Sequence, residues 1–169
     1  MPAVYTVSPI TPDTVDAAFP LVGALTPRLE IERWRAYCDG LHKRQERDAP
    51  QRQVLVATNP RGHVQGLCLW SRGRHAVHGP ILDVPVFIVA SAADEAGVAS
   101  ALVDDLCAIA GRMDCAAIRI RSEASPKVLP QLRAPQRRDG RGVVVILDPS
   151  PLLDAPWGRP QDDSLPVKT

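Results

Sequence analysis

Residues 84–102 read VPVFIVASAADEAGVASAL, and the change of hydrophobic period inside this stretch decides the fold. Up to Ala90 the run is apolar and rich in Val and Ile, the composition of a buried strand. Beyond Gly97 the apolar residues Val98, Ala101, Leu102, Leu106, Ile109 and Ala110 share one helical face, so the chain continues as a helix ending near Gly111. A further strand is expected over 116–121. A strand, helix and strand in direct succession form a right-handed crossover, so the outer strands are expected to be parallel.

Upstream, strands are expected over 53–58 and 64–71, joined by the turn Asn59-Pro-Arg-Gly62, with residues 72–80 connecting them to the strand over 84–90. Further back, Ile31, Trp34, Cys38 and Leu41 mark a helix ending near 40–43. Thr11-Pro-Asp13 starts another, carrying Val15, Ala18, Phe19, Val22 and Leu25, which Pro20 should kink or shorten. A short first strand is expected over 4–7. Downstream, eight of the 17 prolines fall between Pro126 and Thr169, interrupted by one strand over 142–148. The expected organisation is one domain over 1–148 and a mobile Pro-rich tail over 149–169.

The chain has 169 residues, 45% hydrophobic but only 4% aromatic, with a net charge of +1. One core built from Ala, Val, Leu and Ile follows. Near-neutral charge gives no pull toward nucleic acid or an anionic membrane, and no apolar run is long enough to span a bilayer. A cytoplasmic location is the default. Cys38, Cys68, Cys107 and Cys115 lie in or beside periodic apolar segments without zinc-ligand spacing, so buried reduced thiols are expected.

The element order of strand, two helices, three antiparallel strands, helix, strand resembles that of the GNAT N-acetyltransferases over residues 4–121, with a weaker extension to 148. The junction Val89-Ala-Ser-Ala-Ala-Asp94-Glu-Ala-Gly97-Val-Ala99-Ser-Ala-Leu102 is similar to the family's phosphate loop, Q/R-x-x-G-x-G/A, with Gly97 and Ala99 at the small-residue positions. The resemblance implies an α/β (α+β) fold: a mixed, mostly antiparallel sheet with helices on both faces and one parallel strand-helix-strand unit. It implies acyl transfer from acetyl-CoA or another acyl-CoA to an amine of a small molecule or protein. The pyrophosphate would dock at Asp94, Glu95, Ala96, Gly97, Val98, Ala99 and Ser100, where backbone N–H groups and the helix dipole favour an anion. The pantetheine arm would lie along Phe87, Ile88 and Val89.

This sequence departs from the family pattern in two places. Asp94 stands where the family has Gln or Arg, and Glu95 follows it; each carboxylate at ~6 Å from a phosphate opposes binding by on the order of 1 kcal/mol. Ser91-x-x-Asp94 also reads as a capping box able to satisfy the helix start by itself. The Tyr that many family members carry after the fifth strand is missing from residues 125–132. Tyr5 and Tyr37 fit core or near-core positions, so no general acid is assigned. For the general base that the family places beside its fourth strand, the nearest carboxylate is Asp83, whose bland reading is a turn or strand-edge residue.

His75 and His78 flank a turn, but a metal needs three or four converging ligands, and none is expected. Surface histidines are the plain reading, and a place near the acceptor pocket is the sharper one. Lys127 to Arg141 holds five basic residues and one acidic residue, a solvated loop or an anion contact. Trp157 in the tail docks on this subunit or a neighbour. An unfinished sheet edge would invite association, which makes a homodimer the assembly to test. Two functions are compatible with these residues: the acyltransferase, and a non-catalytic binding or regulatory module that keeps the fold without productive CoA binding.

Overall fold

The computed structural model describes residues 4–121, 136–138, 141–148 and 157. Along the chain run β1 (Thr6–Pro9), α1 (Pro12–Leu25), α2 (Ile31–Gln45), β2 (Arg52–Thr58), β3 (Val64–His75), β4 (Gly79–Val89), α3 (Glu95–Arg112), β5 (Ala117–Arg121), β6 (Gln136–Arg138) and β7 (Arg141–Asp148). One sheet takes the order β1-β2-β3-β4-β5-β7-β6. β4 and β5 are parallel, as the crossover requires. A second parallel pair, β5 with β7, and the three-residue β6 were not anticipated from sequence.

The helices divide between the two faces. α1 and α2 bring Val15, Val22, Trp34 and Leu41 onto Val54, Val56, Leu67, Leu69 and Val86. On the opposite face α3 lays Val98, Leu102 and Leu106 over Leu55, Cys68, Trp70, Leu82, Phe87 and Ile118. The expected mixed, mostly antiparallel sheet with helices on both faces is therefore the observed architecture. All four cysteines are buried and free. Among the described residues no helix is long and apolar enough to cross a membrane.

Local chemistry explains most boundaries. Thr11 caps α1, its backbone N–H donating to Thr14 Oγ1 at 2.9 Å, and Pro12 takes the first helical position. The helix then runs through Pro20 to Leu25 and is not shortened there. Burial of Ala18, Leu21 and Val22 offsets the roughly 3 kcal/mol that an interior proline costs. α2 is tied to α1 by Trp34 Nε1, which donates to the Val15 carbonyl at 2.8 Å within the core. The left-handed residue closing α3 is Asp114 (φ 53°), with Cys115 N–H reaching back to the Ala110 carbonyl at 2.9 Å. Gly111 stays helical, because a short polar side chain such as Asp tolerates that conformation.

Strands β3 and β4 are longer than expected. Residues 72–75 and 79–80, read from sequence as part of a connection, join with residues 81–83 in an antiparallel ribbon that leaves only residues 76–78 as the turn. His75 Nδ1 closes this turn by accepting from Val77 N–H (3.2 Å) and His78 N–H (3.4 Å), and Gly79 supplies a φ of 70°. Trp157 is buried on its own subunit, edge-on to Trp34 at 5.3 Å and to Tyr37 at 5.7 Å between ring centroids. The basic residues Lys127 and Arg133 lie outside the described residues, as does most of the 149–169 segment.

Candidate functional site at the β4–α3 junction

Opposite Trp70 of β3, β4 carries two residues, Val84 and Pro85, because the register passes from Ser71–Asp83 to Leu69–Val86. This is a β-bulge, and proline fits it because the bulge needs no ladder N–H. Its effect is a change of phase. Leu82 and Val84 belong to the α3 side below the bulge, and Phe87 and Val89 belong to it above, while Val86 and Ile88 turn to α1 and α2. Among the described residues, pairing between β4 and β5 also ends there: Val84–Ile120 is the last pair, and Arg121 pairs with Asp148 of β7 but with no residue of β4. Among the described residues, the segment Pro85 to Val89 therefore keeps β3 on one side and has no β5 ladder on the other. Phe87, Ile88 and Val89 all lie in this parted segment.

Five residues separate the end of β4 from the start of α3. Its N-cap is Asp94, whose Oδ1 accepts from Gly97 N–H at 3.0 Å, while Asp94 N–H donates to the buried Ser91 Oγ at 3.2 Å. Capping thus centres on Asp94, with Ser91 in support, and is not the box starting at Ser91 that the sequence suggested. The second carboxylate oxygen, Oδ2, accepts from Tyr5 Oη at 3.0 Å. An added Cβ at Gly97 would run into the Asp94 carboxylate, so the space left by the missing side chain is where this carboxylate rests. Partial burial and then the Asp94 bond push the Tyr5 phenol above its ordinary value. Glu95, Ala96, Gly97 and Ser100 are half-buried around the helix start, and Val98 and Ala99 are fully buried against the sheet.

Asp83 lies inside β4, one residue below the last β4–β5 pair and on the face away from α3. It pairs across the sheet with Ser71 and Arg119. Its Oδ1 accepts from Arg119 Nε at 3.0 Å, both side chains being partly buried, and this bond raises the Arg119 guanidinium above its ordinary value. Arg121, next along that face of β5, has Nε 3.7 Å from Asp148 Oδ2.

Other sequence candidates lie elsewhere. The His75–His78 turn is at the opposite end of β4 from the α3 N-terminus, about 30 Å away at ~3.3 Å per strand residue. That distance removes the pair from the junction. Among the described residues no group of three His, Cys, Asp or Glu side chains could hold a metal ion. Two clefts missed in the sequence open at the end of the sheet where β1 finishes. One, of about 310 Å³, lies between the start of α1 and α2, beside Thr11, Arg35 and Cys38. The other, of about 610 Å³, lies beside the C-terminal half of α3, next to Trp70, Arg72, Asp105 and Arg112. Burial raises the Asp105 carboxyl and Arg112 opposes the shift. Only the assembled fold reveals these clefts, since their walls come from five separate segments of chain.

No family model matches this sequence, and no curated protein matches it. Solved structures do match its fold. An acetyltransferase of Trypanosoma brucei has a TM-score of 0.56 at 20% identity, over 80% of this chain and 96% of that one. Glucosamine-6-phosphate N-acetyltransferase from Arabidopsis thaliana has a TM-score of 0.56 at 13% identity, over 73% and 84%. The aminoglycoside N-acetyltransferase AAC(6')-Iy, solved in complex with CoA, has a TM-score of 0.57 at 16% identity, over 76% and 82%.

Proposed function

The chain has the GNAT fold, and on that footing we propose that it is an acyl-CoA-dependent N-acyltransferase, moving an acetyl or other acyl group from a CoA thioester to an amine. The observation that carries this reading is the parting of β4 from β5 after the Val84–Ile120 pair, beside the start of α3. A thioester arm along Phe87, Ile88 and Val89 would meet strand backbone that β5 does not engage. The first turn of α3, Glu95 to Val98, offers the positive end of a helix dipole to a pyrophosphate, with Ala99 and Ser100 behind it. That a structural neighbour is solved with CoA supports an acyl-CoA as the co-substrate.

In this reaction the amine nitrogen attacks the thioester carbonyl carbon while β4 backbone polarises the oxygen. A C–N bond forms, the C–S bond breaks, and CoA leaves as a thiolate that takes up a proton. Positioning supplies most of the rate. Asp83 is the proposed acceptor of the proton lost by the incoming ammonium, its carboxylate held in place by Arg119. No tyrosine is assigned as the acid, since Tyr5 is engaged by Asp94 and Tyr37 sits in the Trp34–Trp157 cluster. The setting proposed is cytoplasmic, with dimerisation through an edge strand, β1 or β6, as the assembly to test.

One observation favours a second reading, a non-catalytic binding or regulatory module: the Asp94 carboxylate already occupies Gly97 N–H. Calorimetric titration with acetyl-CoA, followed by a thiol-release assay across a panel of amines, separates the two. Saturable binding with thiol release supports the transferase, whereas no binding, or binding without release, supports the module.

A further inference from the structure

We propose that Tyr5 and Asp94 form an autoinhibitory latch over the phosphate position at the start of α3, an inference that rests on the acyl-CoA reading above. A helix cap needs one carboxylate oxygen, and Asp94 Oδ1 fills that role on Gly97 N–H. Its other oxygen is held by a phenol 89 residues away in sequence. That remote bond contributes nothing to capping, but it restrains rotation of the Asp94 side chain. The carboxylate is kept in the hollow at Gly97, the place where a small residue would otherwise let a phosphate approach. Ser91 Oγ, buried beneath the loop, fixes the backbone of Asp94 from the third side.

The result is an internal anion seated on the helix dipole. A pyrophosphate competes with it for the same N–H group and the same field, so entry requires Asp94 to swing out and Tyr5 to lose its acceptor. Tyr5 immediately precedes β1, a four-residue strand at the edge of the sheet that, among the described residues, pairs only with β2. The latch is therefore coupled to how β1 is seated, and whatever displaces β1 also opens the phosphate position. This differs from simple charge repulsion by Asp94, because it assigns a role to an uncharged residue on another strand.

The test is calorimetric titration of the full chain and of Tyr5→Phe, Asp94→Asn and Asp94→Ser, each with CoA and with acetyl-pantetheine, which carries no phosphate. Asn and Ser both cap helices well, so folding is preserved while the charge is removed. Tyr5→Phe is expected to tighten CoA binding about fivefold, the factor for one hydrogen bond of ordinary strength. Both Asp94 variants should tighten it about tenfold or more, the yield of a charge-assisted bond. None should gain affinity for acetyl-pantetheine. If the natural chain binds CoA and Tyr5→Phe binds it no better, the latch is overturned and the acyl-CoA reading stands. An equal gain for acetyl-pantetheine also overturns the latch, and no CoA binding by any of the four proteins overturns both.

Discussion

A Cβ on Gly66 would lie 2.5 Å from Val98 Cγ1, with Leu102 Cδ1 at 3.2 Å. β3 and the first turns of α3 therefore meet at their present separation only because residue 66 has no side chain. Gly66→Ala is expected to destabilise the fold by about 1–3 kcal/mol through overpacking. The measurement is the urea midpoint at unchanged slope; an unmoved midpoint would mean that α3 yields without cost.

Trp157 completes an aromatic cluster with Trp34 and Tyr37. Trp157→Ala should lower stability by about 3 kcal/mol or more, the usual result of emptying a buried aromatic site. Denaturation followed by the fluorescence of the remaining tryptophans would report it. Stability equal to that of the natural chain would show that the Trp157 ring adds nothing to the core.

If Asp83 takes the proton from the acceptor amine, Asp83→Asn abolishes turnover and leaves CoA affinity unchanged, since no cofactor contact is assigned to this side chain. Turnover at the natural rate removes Asp83 from the mechanism. Loss of the Arg119 pair alone, both groups being partly exposed, should cost no more than about 1 kcal/mol of stability.

The buried thiols should be inert in the native state. Burial pushes Cys38 up to about 12, raises Cys68 further, and raises Cys115, so almost none of these groups is thiolate near neutral pH. Reaction with a disulfide reagent should be slow until denaturant is added. Rapid native labelling of Cys38 would show that the groove beside it opens.

Alkali should act through Tyr37. Burial raises its phenol, with Arg52 opposing, so the native state favours the neutral form. Its contribution is complete below about pH 10, the unfolded value, and is lost as pH rises through the higher native value. Tyr37→Phe should flatten that decline in unfolding experiments across the alkaline range.

Much of this fold was legible because its signals are local. The run from Phe87 to Leu102 changes period within a few residues, and Asn59 to Gly62 carries its own turn chemistry: Asn59 Oδ1 accepts from Arg61 and His63 N–H, and Gly62 has a φ of 81°. What stayed hidden depends on partners distant in sequence. Pro85 sits inside the strand expected over 84–90, and the bulge becomes visible only when β3 is placed beside it. Arg72 to His75 reads as loop because its apolar content is low, yet the ladder to β4 holds it extended. Three residues of β6 carry too little pattern to read alone. At the candidate site, the small residues and Asp94 were visible as a motif, but the bond from Tyr5 spans 89 positions and nothing local announces it.

The bulge at Val84 and Pro85 makes β4 two half-strands set out of step by one residue. Without residue 85 the alternation would run unbroken through Val84, Val86, Phe87, Ile88 and Val89, each on its present side of the sheet, whereas drawing Pro85 into the ladder would turn all four residues after it over. The sheet can thus absorb the loss of residue 85 more readily than its entry into the ladder.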